Sequence, residues 1–586
     1  MAIATTAPSA RRLPIGSAQR QFTITVEGQV VPRTQQLLSL TISSAVNRIA
    51  SARLVLLDGA ASRSDFELSS EETFVPGARI QIAAGAGGDT HQLFTGLVVG
   101  HAIKLRDRVA PQLVVDCRHA ATRLAHARRG RNFVDMTDSD VIEQLLGAAQ
   151  VELEVQSTPL RHEQLVQFDA TDWDFALRRA QAAGLAVFTR VGALRVRKPE
   201  LAGDVVAILS HGATLIELDA QTDARQQAEA HHGLAWQPAD QAVADSSAAE
   251  PDFEAPGDFE AADLARDAGM DRQDLRHAAL PAAESQAWAD AAALRARVNQ
   301  VQGRAKCEGL GQVLPGDVVE LAGCGARFNG SVLVTGVRHA YDTVEGWKTH
   351  LQFGGLEAPE LRAAELPPRP AGGLVPPVAG LQIGVVTANE DPAGEDRVRV
   401  RLPMVDAGDD GVWARMASLD AGGDRGFFFR PEIGDEVVLG FIEDDPRHPV
   451  LLGMLHSSAK PAPEPGSDAN DVKLYKSRSG IRLRFDDAKT VVTLDTPAGQ
   501  SLVLDDDAGR VTLADRHGNK LVLDADGITL ESARALNLKA ATTAALEAGS
   551  GLGLQAATQI KLEGSAGVEV ASSGITKITG SLVQIN

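Results

Sequence analysis

Cysteine is scarce: three occur in 586 residues, at positions 117, 307 and 324, with no Cys-x-x-Cys spacing. An odd number without that spacing argues against a disulfide scaffold and a zinc knuckle. Buried free thiols are expected, with a Cys307–Cys324 bridge as the alternative. Aromatic residues make up only 4% of the chain, too few for a large aromatic-packed catalytic core or a base-stacking platform. No run of 18 apolar residues occurs, and Arg11 and Arg12 have no apolar stretch behind them. Neither a membrane-spanning helix nor a secretion signal is therefore expected, which predicts assembly in the cytoplasm. Positive charge is also in deficit: 57 Lys and Arg face 77 Asp and Glu, a net charge of -20. Such a surface repels phosphate backbones and anionic lipid, so nucleic acid is not expected as a partner.

Catalytic signatures are missing as well. The chain has no P-loop, HExxH or GxSxG pattern, and no cofactor, catalytic residue or metal site is predicted. Glu443-Asp444-Asp445 reads as a solvated turn before Pro446 rather than a glycosidase carboxylate pair. His231-His232 reads as a flexible surface pair, since no third ligand stands at usable spacing.

What the sequence does have is β-pattern and turns. Its length suits about three to five domains. After an N-terminal tail (1–19), short runs such as Phe22-Thr23-Ile24-Thr25-Val26 alternate apolar and polar residues, as barrel-like antiparallel strands do. Helices are predicted over 137–149, capped by Thr137 or Ser139, and from Thr171, whose spacing to Asp174 is that of a capping box, to a stop at Gly184. Strands are expected at 186–190 and 193–197. Within this hub (20–364) the segment 237–290 carries thirteen acids against three arginines and is expected to be a mobile acidic insertion. A Pro-rich linker (365–380) holds five prolines by residue 378. It is followed by five short predicted strands over 381–456, at 384–387, 397–402, 412–416, 437–442 and 450–455, which suit a small closed OB-fold barrel. That barrel carries fifteen acids, seven arginines and no lysine between 381 and 455, so oligonucleotide binding is not expected of it. A second linker spans 457–470.

From residue 471 the sequence becomes periodic. Apolar-x-apolar doublets recur, and from Ile528/Leu530 they return every eight residues five times running: Leu536/Leu538, Ala544/Leu546, Leu552/Leu554, Ile560/Leu562 and Val568/Val570. An extended eight-residue unit reaches at most about 26 to 29 Å, too short for one chain to wrap a core. Three chains, one side each of a triangular rung, enclose it. A single-chain solenoid is the alternative, against which stands the absence of hexapeptide spacing. The doublets Ile528, Leu530, Leu536, Leu538, Leu546, Leu552, Leu554, Ile560, Leu562, Val568 and Val570 are the predicted core of a needle over 471–586. The predicted fold class is mainly β: β-barrel hub domains with a few helices, an OB-fold barrel, and a C-terminal trimeric intertwined β-helix needle.

Three local motifs stand in order along the chain: Asp172-Trp173-Asp174-Phe175-Ala176-Leu177-Arg178-Arg179 through Gly184; Leu314-Pro315-Gly316-Asp317 with Arg327-Phe328-Asn329-Gly330 and Val337-Arg338-His339; and Arg430-Pro431-Glu432-Ile433-Gly434-Asp435-Glu436-Val437 with Asp445-Pro446-Arg447-His448-Pro449-Val450. With the octads they resemble the VgrG spike family of contractile injection systems, related to phage tail hub and spike proteins. Trp413-Ala414-Arg415-Met416 and the compact length resemble the extracellular, phage-tail-like members. The resemblance implies a non-enzymatic homotrimeric spike whose hub meets the inner tube protein and baseplate. It further implies effectors carried as cargo and transient contact with the target membrane. A PAAR-repeat protein is implied as the cap at Leu582, Val583, Ile585 and Asn586, where a His-x-His tip is lacking. Two rivals are a trimeric tailspike enzyme cleaving surface polysaccharide, which needs aromatic platforms, and a surface adhesin, which needs a secretion signal and an anchor.

Overall fold

The computed structural model describes residues 21–32, 34–60, 62–86, 89–237, 242–277, 280–356 and 370–585. The expectations for the tail 1–19, for linker residues 365–369 and for Asn586 fall outside them. The chain divides into two compact units, Met1–His456 and Ser457–Asn586.

In the first unit a 13-stranded sheet among the described residues joins parts of the chain far apart in sequence. The strand Gly330–Asp342 pairs antiparallel with Leu37–Ala45, which pairs in turn with Ser51–Leu57. Alternation drives this arrangement: Leu40, Ile42, Leu54, Leu56, Ile80 and Ile82 all turn to one buried core, while their neighbours in sequence face outward. Cys117 and Cys307 are buried free thiols and Cys324 is a half-buried one, so no bridge joins the last two.

A smaller layer carries two helices, Asp138–Gly147 and Asp172–Ala182. Thr137 caps the first with a full capping box, and the Thr171 hydroxyl accepts from the Asp174 N–H at the start of the second. The second helix stops where Gly184 adopts φ +72°, a left-handed turn that costs glycine little. The strands Ala186–Arg190 and Ala193–Arg197 follow as expected.

Segment 237–290 differs from its expectation. Its described residues are folded, with strands Ala242–Ser247 and Arg272–His277 on either side of Ala230–Gln237. Two helices belong to it, Ala261–Asp267 and the start of Ala282–Val298. Composition misleads here because its few apolar and small residues bury: Phe253, Ala265, Leu280 and Ala289 all pack inside, the alanines with no need of a large side chain. His231 lies buried within the central strand and His232 pairs with Asp245 at 2.5 Å, so neither belongs to a flexible surface site.

The described part of the Pro-rich stretch is not a free linker either. Ala371, Leu374, Val375 and Val378 are buried, since proline fixes the local backbone but leaves neighbouring apolar side chains free to pack. The OB barrel closes from Gln382–Ala388, Val398–Arg401, Val412–Met416, Pro449–Met454 and Glu436–Phe441, in that order. It is packed onto the hub: Val166 joins the barrel's apolar core, and Gln164 Nε2 donates to the Gly411 carbonyl at 3.2 Å. A Cβ on Gly130 would stand 2.5 Å from the Val405 carbonyl oxygen and 2.6 Å from its Cα, so only glycine lets these backbones approach. Gly130→Ala is therefore expected to destabilise the first unit by roughly 1–3 kcal/mol, read as a lower denaturant midpoint. An unchanged midpoint would show that the approach is slack.

Candidate functional site: an uncovered apolar shaft and a buried charge junction

The second unit begins with seven antiparallel strands in sequence order: Val472–Lys476, Arg482–Asp486, Val491–Asp495, Ser501–Asp505, Arg510–Ala514, Lys520–Asp524 and Gly527–Glu531. Their register aligns two apolar ladders. One runs Phe485, Val492, Leu504, Val511, Leu523, Ile528; the other runs Leu483, Leu494, Leu502, Leu513, Leu521, Leu530. Residues directly opposite in an antiparallel pair share a face, so both ladders lie on the same side of the sheet. The opposite side carries Arg484, Thr493, Val503, Thr512, Val522 and Thr529. Ion pairs such as Arg482–Asp495 at 2.6 Å lie along it.

This sheet has one face suited to water and one suited to a core, yet among the described residues of its own unit none covers the apolar one: Leu494, Leu504, Leu513 and Leu530 are all exposed. The predicted doublet Ile528/Leu530 sits in the last strand of this sheet, Gly527–Glu531, paired with Lys520–Asp524. A hairpin and a rung share the apolar-x-apolar period, and only the turn Asp524–Gly527 distinguishes them. From 532 to 585 no helix or strand occurs among the described residues. Leu536, Leu538, Leu546, Leu552, Leu554, Ile560, Leu562, Val568 and Val570 are exposed there, Leu538 at 78% and Val570 at 73%. Leu582, Val583 and Ile585 are exposed as well. Fully burying such a side chain gains about 1.5–3 kcal/mol, and a monomer rarely displays so long an apolar strip. The backbone groups of this stretch likewise need partners. Both deficits are met at once if other copies of the chain supply strands alongside.

A second feature lies in the first unit, where helices, the 237–290 segment and the OB barrel meet around buried charge. Arg179, 1% exposed, donates from Nε to Asp138 Oδ1 at 2.6 Å and from Nη2 to Glu284 Oε1 at 3.3 Å. His162 Nε2 lies 3.0 Å from Asp138 Oδ2. From the barrel, Arg447 reaches Glu284 Oε1 at 2.5 Å and Asp445 Oδ2 at 2.8 Å, and His277 Nε2 sits 3.1 Å from that same Asp445 oxygen. Burial pushes the Asp138, Glu284 and Asp445 carboxyls up. The guanidinium groups of Arg447 and Arg179 outweigh it, so all three are held below the usual range, Glu284 at about 2.

Asp445, expected on a solvated turn with Glu443 and Asp444, is in fact wholly buried; the other two are exposed. Sequence reasoning missed this junction because its members come from positions 138 to 447 and no local spacing joins them. One trace was present: an Asp and an Arg flanked by prolines in Asp445-Pro446-Arg447-His448-Pro449.

Comparison with known proteins places these features. Residues 17–343, more than half of the chain, match the family model described as the Alg8 N-terminal domain. Residues 382–456 match the type VI secretion system/phage-baseplate injector OB domain, and residues 491–586 the phage baseplate V C-terminal trimerisation domain. No curated protein matches the sequence. The half-lidded Francisella PdpA-VgrG complex is similar at 8% identity and TM-score 0.52, over 89% of this chain and 89% of that one. The lidless PdpA-VgrG complex is similar at 9% identity and TM-score 0.52, over 88% and 98%. An E. coli type VI secretion component with structural similarity to T4 bacteriophage tail proteins aligns at 14% identity and TM-score 0.45, over 74% and 99%. The two PdpA-VgrG likenesses show the fold. With the baseplate OB and trimerisation models they make this a VgrG-like structural spike, mainly β, and nothing among them supports a tailspike enzyme.

Two outcomes are expected. Leu538→Asp puts a carboxylate in each copy's strip, where burial and mutual repulsion both oppose ionisation. On gel electrophoresis the parent chain is expected to run as a heat- and detergent-resistant assembly and the variant to lose it; equal resistance would contradict a buried strip. Glu284, held at about 2 against an ordinary 4.5, stabilises the fold fully above 4.5 and loses that contribution as pH falls through about 2. Glu284→Gln should therefore be less stable at neutral pH, with a shallower loss across that window in acid unfolding. A slope as steep as the parent's would contradict the pairing.

Proposed function

Since the chain belongs to the family defined by the Alg8 N-terminal domain and ends in a match to a trimerisation segment, we propose that three copies form the spike at the tip of a contractile injection particle. In this reading residues 20–364 serve as the hub that meets the inner tube protein and baseplate. Residues 381–456 make a collar of OB barrels, and 471–586 build a needle with Ile528 through Val570 on its axis. Its role is mechanical: the needle concentrates the load of contraction on a target envelope, without catalysis. The particle is assembled in the cytoplasm and delivers effectors as cargo.

The observation that carries this reading is the uncovered apolar strip, a length of chain that has no core unless other copies provide it. The baseplate-type OB model agrees with it. The exposed apolar end at Leu582, Val583 and Ile585 suits a flat, water-excluding contact with a PAAR-repeat tip protein. In solution, a PAAR-repeat protein should co-elute with the full chain at one tip per three chains. Leu582→Asp combined with Ile585→Asp should release it while leaving the assembly's mass unchanged. Failure of the tip to bind the parent chain would remove the capping role.

A further inference from the structure

At the edge of the buried charge junction, the OB barrel and the 237–290 segment bring two imidazoles and a carboxylate together. His277 ends the strand Arg272–His277; Asp445 and His448 belong to the barrel loop before Pro449–Met454. One ligand atom from each of the three lies within 4.8 Å of the others. His277 Nε2 is 3.1 Å from Asp445 Oδ2 and 3.9 Å from Glu443 Oε2. The rings of His277 and His448 lie 5.6 Å apart between centroids. Asp445 is fully buried and His277 nearly so.

Two further observations point to a ligand. The Nε2 of His448 is buried without a hydrogen-bond partner, a state that folded proteins rarely leave uncompensated. Next to it, Glu443 and Asp444 both take left-handed backbone angles, φ 53° and 59°. Such strain persists where the surroundings over-determine it. Here the strained turn sets Glu443 beside His277.

We propose that His277, Asp445 and His448, completed by Glu443, bind one divalent transition-metal ion, zinc being the best fit, which clamps the 237–290 segment to the OB barrel. Two nitrogens and two carboxylate oxygens form a donor set that zinc accepts, with bonds of about 2.0–2.2 Å in a tetrahedron whose ligand atoms stand some 3–4 Å apart. The 3.1 Å between His277 Nε2 and Asp445 Oδ2 falls in that range, and the exposed Glu443 carboxylate, 3.9 Å from His277 Nε2, is near enough to turn toward the ion. The ion replaces the proton otherwise shared between His277 Nε2 and Asp445. Arg447 holds the carboxylate from its other side, Nε to Oδ1 at 3.0 Å and Nη2 to Oδ2 at 2.8 Å, as an outer partner that orients the ligand. Charge agrees as well. The junction sets Asp138, Glu284 and Asp445 against Arg179 and Arg447; with Glu443 two negative charges remain, which a divalent cation balances.

The test uses the full chain, stripped with a chelator, desalted and re-supplied with zinc or with cobalt(II) as a spectroscopic probe. One zinc per chain should survive desalting, and cobalt should show the intense visible absorption of a tetrahedral site. His448→Gln should lose the bound zinc while circular dichroism stays unchanged, because its Nε2 has no protein bond to lose. Glu443→Gln, at an exposed position, should weaken binding by about tenfold or more. His517→Gln, in the second unit, should change nothing. Binding well below one ion per chain would overturn the proposal. So would full retention by both His448→Gln and Glu443→Gln, or loss on His517→Gln instead; the junction is then an ion-pair cluster alone.

Discussion

The second unit is governed by a surface that its own described residues leave uncovered. Two ladders of Leu, Ile, Val and Phe line one face of a seven-stranded sheet, and the same apolar character continues into a stretch with no strand partners of its own. The hydrophobic effect and the demand for backbone hydrogen bonds act on the same residues and in the same direction. Neither is met by folding the chain back on itself, because the turn-to-turn length is too short to enclose a core. In the proposed assembly of three chains, stiffness would follow from closure: each added layer would bury the one before it and leave no lateral strand edge open.

The first unit solves a different problem by different means. Its hub and OB barrel are held by an apolar wedge at Val166 and by a chain of buried charges running Asp138, Arg179, Glu284, Arg447, Asp445. Buried pairs are weak as net stabilisers, but removing one partner strands the other, at a cost of roughly 3–5 kcal/mol. Such a junction tolerates few alternative geometries. That intolerance suits the mechanical role proposed above, since a slack joint dissipates load.

Much of this was legible in the sequence where physics is local. The caps at Thr137 and Thr171 and the strands at 186–190 and 193–197 appear where the residues set them. The five barrel strands agree with their expected positions to within a few residues. The failures are non-local. Alanine-rich, acidic sequence at 237–290 reads as solvated until small side chains are seen filling narrow space and Glu284 is seen between two arginines. Prolines at 370–378 read as a spacer until the apolar residues between them are found packed. The period of two at Val492/Leu494 through Ile528/Leu530 is shared by a hairpin meander and an intertwined rung, so the sequence pattern left the first half of the shaft undivided from the second. The charge junction had no signal along the chain, since its members are joined only by the fold.

The account stands or falls on the number of chains that close the apolar strip. The mass of the intact protein in solution, by light scattering across a wide dilution range and again in mild detergent, tests that directly. A value three times the 61.7 kDa chain mass, unchanged under both conditions, is what the account predicts; a species at the mass of one chain would contradict it.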